Sequence, residues 1–324
     1  MRRCLQEQLL STRMLHFGSD QLYWQCIDKA LLSEALPGEH SCKPIGLNPM
    51  LDPTPGMLPG VPGSRWTLAQ DRWPNILENY QERTLTQAGK DKLRAIQGVA
   101  DRITQARSTE YVCGFFWKDL PLALLWKVRG DCTASRAEPY REPTWSWSSM
   151  DGPLTMYRDF GRGSRGTKYK PLMACAKSLD LHRDHGTEKA LLCIGRVVRI
   201  PPHTTFTKKH IVATGWALHF TMYGLSFRFE VDDARELEHT SRTGLFVLPL
   251  AYIYPGNAPP YGAGLLLSCN EDGTFARLGV VRYPQEVLDM RFEPSRYLLG
   301  ISDIEQTPFD DVFRSRAAKP LLLV

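Results

Sequence analysis

The chain has 324 residues and a mass of 36.8 kDa, 43% hydrophobic and 23% charged, a composition that excludes a disordered chain, a collagen-like one and a long coiled coil. Forty Lys and Arg against 35 Asp and Glu leave +5, too small a surplus at this length to predict nucleic acid or a membrane as a partner. The length predicts about two domains. Eight cysteines with no C-x-x-C pair read as reduced thiols, so the expectation is a cytoplasmic protein with no metal and no cofactor.

The first residues are already amphipathic, with Leu5, Leu9 and Leu10 on one helical face and no capping residue before them, as though the chain entered a domain part-way. Apolar runs at 14–17 and 22–26 flank Gly18, Ser19 and Asp20, the pattern of two strands around a tight turn. Residues 37–65 carry prolines at 37, 44, 49, 53, 55, 59 and 62 and read as a linker.

The spacing of Trp73, Ile76, Leu77 and Tyr80 predicts a helix over 68–82, with Pro74 in its first turn. Leu93, Ile96, Val99, Ala100 and Ile103 predict a second over 90–106, with Lys92, Arg94, Asp101 and Arg102 off the apolar stripe. A third, over 118–128, is apolar on most sides. Trp145 and Trp147 alternate with Ser146 and Ser148, which predicts a strand with both indoles on one side. That pair reads as core packed on the helices, with a stacking platform for a base or a proline-rich peptide as the alternative.

The stretch 158–190 reads as a basic loop region. It holds FGRGSRG, a literal G-x-G-x-x-G at Gly161, Gly163 and Gly166, but polar residues precede it and Pro171 follows, which is the wrong context for a dinucleotide turn. His182, Asp184 and His185 in LHRDHG offer metal-ligand types without a second cluster, and the plainer reading is an exposed turn. From 191 the texture is β-rich. Phe227, Phe229 and Val231 alternate with charged residues, residues 265–267 and 275–280 form a hairpin across Asn270–Gly273, and Pro249 places 246–254 at a sheet edge or a bulge.

Four of these stretches, read in order, resemble fungal heterokaryon incompatibility (HET) domain proteins. LQEQLLSTRMLHFGSDQLYWQC resembles the end of the HET domain through Gln6, Glu7, Ser11, Arg13, Phe17, Trp24 and Cys26. YQERTLTQAGKDKLRAIQGVA follows the pattern through Tyr80, Arg83, Leu85, Thr86, Asp91, Lys92, Leu93, Ile96 and Gly98. YVCGFFWKDLPLALLWKV does so through Tyr111, Gly114, Trp117, Leu120, Leu125 and Trp126, and EPTWSWSSMDGP through Pro143, Trp145, Ser146, Trp147 and Gly152. GLLLSCNEDGTFARLGVV resembles the closing hairpin.

The resemblance implies non-self recognition leading to programmed cell death, a HET domain similar to the TIR fold and, in some relatives, self-association or NAD cleavage. The larger part of that domain would precede Met1, so self-association and NAD hydrolysis are not expected of this chain. Glu7 is the one motif carboxylate present, and its plain reading is an ion pair or hydrogen bond with Arg13 that pins the helix to the next strand. The expected fold is α+β: a TIR-like remnant (1–36), the linker (37–65), a helical unit ending in the tryptophan strand (66–157), the basic loop region (158–190) and an antiparallel β-rich domain (191–324). The expected function is a truncated, non-catalytic incompatibility-type protein acting through a protein partner. The alternative is an enzyme with a pocket in the β-rich half, near His182 and His185, or residual NAD cleavage.

Overall fold

Apolar residues three and four apart wind onto one helical face, and alternating ones line one face of a strand; both patterns recur along the chain. The computed structural model describes residues 5–11, 13–17, 22–26, 29–33, 69–83, 91–129, 134–157, 168–183, 186–200, 204, 207–211, 215–222, 225–233, 235–236, 244–255, 259–284 and 319–324. The architecture is α+β, in two compact units, Met1–Tyr111 and Val112–Val324. Residues 112–157, expected with the helices, therefore lie in the same unit as the large sheet. No helix among the described residues is long and apolar enough to cross a membrane.

In the first unit, α1 (Leu5–Leu10) precedes an antiparallel sheet of β1 (Arg13–Phe17), β2 (Leu22–Cys26) and β3 (Lys29–Ser33). Helix α2 (Ala69–Gln81) buries Trp73, Ile76, Leu77 and Tyr80, the predicted stripe. Pro74 is the sixth residue of α2 rather than a first-turn one. Only the first four N–H groups of a helix lack a partner, so at this position the proline forfeits one bond, to the Gln70 carbonyl. Helix α3 (Arg94–Arg107) buries Ile96, Val99, Ala100 and Ile103, again as the spacing predicts. Lys92 was expected off the stripe but is buried, in the turn ahead of α3, where its carbonyl accepts the Tyr80 hydroxyl at 2.6 Å.

Helix α1 docks on α3 through Gln6, whose Oε1 accepts the Gly98 N–H at 3.2 Å. A Cβ at Gly98 would stand 2.7 Å from Gln6 Nε2 and 2.9 Å from its Cδ. Gly98→Ala therefore sets a gain in helix propensity of about 1 kcal/mol against one lost hydrogen bond of about 1 kcal/mol. Global stability is expected to stay within about 1 kcal/mol of wild type while α1 detaches, seen as faster hydrogen exchange at residues 5–10. Unchanged protection there would show that Gln6 is not the anchor.

Past the short strand β4 (Tyr111–Val112), the second unit opens with β5 (Phe115–Phe116). The helix expected over 118–128 is instead two 3-10 turns, Trp117–Asp119 and Leu122–Leu125, followed by β6 (Lys127–Val128). Pro121 explains the break, since it drives Leu120 to φ −74, ψ 147, outside the helical region. Next come β7 (Ser135–Arg136), β8 (Met150–Asp151) and β9 (Leu154–Thr155). Strand β7 pairs with β8, and β6 with β9.

The basic loop expected over 158–190 is corrected from Lys168 onward. Strands β10 (Lys168–Pro171), β11 (Ala174–Arg183) and β12 (Gly186–Gly195) occupy it. Cross-strand pairing makes such polar segments stable, as with Lys189, opposite Asp180 and 2.6 Å from it. The sheet continues through β13 (Val198–Arg199), β14 (Thr207–Ile211), β15 (Gly215–Met222), β16 (Leu225–Val231), β17 (Leu245–Tyr254), β18 (Tyr261–Cys269), β19 (Phe275–Pro284) and β20 (Lys319–Leu323). Its main path runs β10-β17-β18-β19-β16-β15-β14.

Among the described strands pairing is antiparallel except for one parallel step between β19 and β20, where Phe275 stands opposite Leu323. The predicted hairpin is β18–β19. Strand β17 is interior, and Pro249 is accommodated by a register shift between Pro249 and Ala251, the bulge alternative of the expectation.

Candidate functional site

The residues singled out by the tryptophan pattern meet inside the second unit, in a shape the sequence did not predict. Residues 147–149 form a 3-10 turn, with Ser146 capping it, in place of a strand. Trp145 and Trp147 are both fully buried, but so are Ser146, Ser148 and Ser149. Hydroxyls that bond back to nearby backbone compete with a strand ladder. Ser146 Oγ donates to the Cys113 carbonyl at 2.7 Å and accepts the Ser148 N–H at 3.1 Å, and Ser149 Oγ donates to the Ser146 carbonyl at 2.7 Å. Trp147 Nε1 donates to the Gly114 carbonyl at 2.9 Å, and Trp126 Nε1 donates to the Trp145 carbonyl at 3.0 Å. Trp145 stacks on Phe115 with ring centres 6.1 Å apart. With both indoles enclosed, the stacking-platform alternative has no exposed ring to use. Trp117, the fourth tryptophan of the motif, opens the first 3-10 turn and is half-buried.

At the centre of this packing is a residue the sequence reading missed. Arg277 is fully buried, its guanidinium 3.4 Å above the centre of the Trp126 ring. Nε and Nη2 grip Asp232 at 2.7 and 3.0 Å, Nη2 also donates to the Trp126 carbonyl at 2.6 Å, and Nη1 donates to the Leu124 carbonyl. Thr144 Oγ1 accepts the Arg277 N–H at 2.8 Å and donates to the Val324 carbonyl. Arg136 is forked on Glu236, with both bonds at 2.9 Å, and donates to the Arg277 carbonyl at 3.0 Å and to Ser149 Oγ at 2.7 Å. Burial pulls the Arg277 guanidinium below its ordinary range, against the pull of Asp232. Burial raises the Asp233 carboxyl, but bonds from the Arg235 side chain and from the Arg136 and Arg235 N–H groups outweigh it and hold it at about 2. This network ties segments distant in sequence to β19, and its charges are spent on one another.

A second cluster has chemistry-bearing residues but the wrong protonation for nucleophilic work. Cys113 sits at φ 45 beside Gly114. Burial, then the charge of Glu142 and a hydrogen bond to it, push the Cys113 thiol well above its ordinary range, and burial pushes the Glu142 carboxyl up. Tyr140 donates to Glu188 at 2.8 Å. A thiol held protonated is a poor nucleophile. His182 is exposed near the end of β11, its Nδ1 3.2 Å from the Thr187 hydroxyl. Among the described residues no three His, Cys, Asp or Glu side chains converge as metal ligands. His185, Asp184, FGRGSRG and the linker lie outside the described residues.

In the first unit, Asp91 is half-buried, and Ser11 donates its N–H to the Glu7 carbonyl at 3.0 Å. The Glu7 and Arg13 side chains are exposed, and among the described residues no ion pair or hydrogen bond joins them as the expected clasp would. Gln6, one residue earlier on the helix, does the docking instead. The feature that remains open is a face of the β1–β2 ladder. Leu15 stands opposite Trp24, Phe17 opposite Leu22 and Arg13 opposite Cys26, and opposed pairs two residues apart share a face. Leu15, Phe17 and Trp24 are 43, 65 and 40% exposed. Alternation predicts these strands, but it cannot say which face another part of the chain will cover. Compared with family models, curated proteins and solved structures, the chain matches none.

Proposed function

We propose that the chain is a fungal heterokaryon-incompatibility-type protein, non-catalytic and cytoplasmic, that acts in non-self recognition and cell death through a protein partner on the β1–β2 face. The reading joins the ordered HET-like segments to one observation, the exposed row Leu15, Phe17 and Trp24. Covering a large apolar side chain is worth about 1.5–3 kcal/mol when it goes from fully exposed to fully buried, so a partner gains from this face. On this reading α1 and β1–β3 belong to a TIR-like HET domain. The enzyme alternative is weakened by a raised Cys113 thiol and by charges already paired around Arg277.

The test is expression in a filamentous fungus with hyphal death scored by vital dye. The wild-type chain is expected to cause death on fusion with an incompatible strain, and Phe17→Asp combined with Trp24→Asp to reduce it at least tenfold. Thermal melting of the double variant separates loss of the contact from loss of folding, since Trp24 is only 40% exposed. Undiminished death in the double variant, or none with wild type in any pairing, would refute the contact reading. Purified chain is expected to leave NAD intact; turnover abolished by Glu7→Ala would refute the non-catalytic reading.

A further inference from the structure

Cys175 on β11 and Cys193 on β12 stand directly opposite each other in the antiparallel register, next to a register shift between Cys175 and Lys177. Opposed residues of an antiparallel ladder have Cα atoms about 4.5–5.5 Å apart, inside the range of about 4.4–6.8 Å that a disulfide spans. Both cysteines are free, with Cys175 partly exposed and Cys193 buried. The interaction with Cys175, and then burial, keep the Cys193 thiol raised. Neither cysteine takes part in the Arg277 network or in the β1–β2 face.

From this geometry we infer that Cys175 and Cys193 form a reversible dithiol switch, oxidised by a small disulfide such as oxidised glutathione. The partly exposed Cys175 thiolate attacks one sulfur of the oxidant, forming a mixed disulfide and releasing one glutathione thiolate, which takes the proton Cys175 gave up. Forming the mixed disulfide removes the Cys175 interaction that is the first cause of the raised Cys193 thiol; Cys193 then gives up its proton and attacks Cys175 Sγ, releasing the second glutathione, which takes that proton. Two thiols are oxidised to one disulfide and one disulfide is reduced to two thiols. The buried cysteine never has to meet the oxidant, because its step is intramolecular. The bond fastens β11 to β12, and β12 also carries β20, with Cys193 opposite Leu321.

The test uses the full reduced chain, kept folded, incubated with oxidised glutathione, alkylated and digested with trypsin. The expected product is peptide 169–177 joined to peptide 190–196 and lighter than their sum by two hydrogens, with matching loss of both free thiols and reversal by dithiothreitol. Cys193→Ser is expected to stop at a glutathione adduct on Cys175. The inference is overturned if the wild-type chain gives no joined peptide, whether Cys175 stays free, ends as the adduct or pairs with another cysteine. The decisive reading is on the wild-type chain, so it does not depend on the variant folding.

Discussion

Arg277→Met is expected to destabilise the second unit by about 3–5 kcal/mol, the cost of breaking a buried ion pair by removing one partner. Asp232, at 0% side-chain exposure, would keep only the longer contact with Arg136 at 3.7 Å, and the Leu124 and Trp126 carbonyls would lose their donor. Removing both charges, with Arg277→Met and Asp232→Leu together, separates these effects. Replacing a whole buried pair by apolar side chains is often close to neutral, but two stranded carbonyls cost about 1–3 kcal/mol each. The double variant should therefore recover part of the loss and remain below wild type. Urea titration followed by tryptophan fluorescence checks the order wild type, double, single. A single variant within about 1 kcal/mol of wild type would remove Arg277 from the centre of this account.

Gly114→Ala is expected to cost about 3–5 kcal/mol by two additive routes, backbone strain and overpacking. Gly114 sits at φ +92, a region an L side chain rarely adopts, and its Cβ would collide with Trp147 Nε1, with Cε2 at 2.9 Å and Cδ1 at 3.0 Å. Trp147 is fully buried and gives its indole N–H to the Gly114 carbonyl, so the ring cannot retreat without breaking that bond. Gly273 is the matched control. It has φ +80 but nothing within 4 Å of its Cβ, so Gly273→Ala carries strain alone, about 1–2 kcal/mol. Thermal unfolding should fall by roughly 6–20 °C for Gly114→Ala and by under about 8 °C for Gly273→Ala. Equal shifts would mean that the indole contact contributes nothing.

Neither effect is visible in the local sequence. Arg277 lies in FARLGVV, which reads as an ordinary hairpin strand, and the register shift between Leu266 and Leu267 sets Arg277 opposite Leu267 and Gly279 opposite Leu266. Its partners come from residues 124, 126 and 232, whose proximity no periodicity encodes. The tryptophan segment looked like a strand because its residues alternate; its serines chose local bonds. Over 118–128 the apolar pattern was right about burial, since Leu122–Leu125 are all buried, and wrong about shape because of Pro121. Over 168–190 the composition was too polar to reveal strands that cross-strand pairs stabilise.

What the sequence determined by itself is what short-range physics decides: the stripes of α2 and α3, the β18–β19 hairpin and the accommodation of Pro249 each depend on residues a few positions apart. Only the tertiary structure decided that Arg277 is buried, that Gln6 rather than Glu7 docks α1, that Cys175 meets Cys193, and that Leu15, Phe17 and Trp24 stay uncovered. These depend on register and on which distant segments arrive. A one-residue shift in either turns a buried side chain outward.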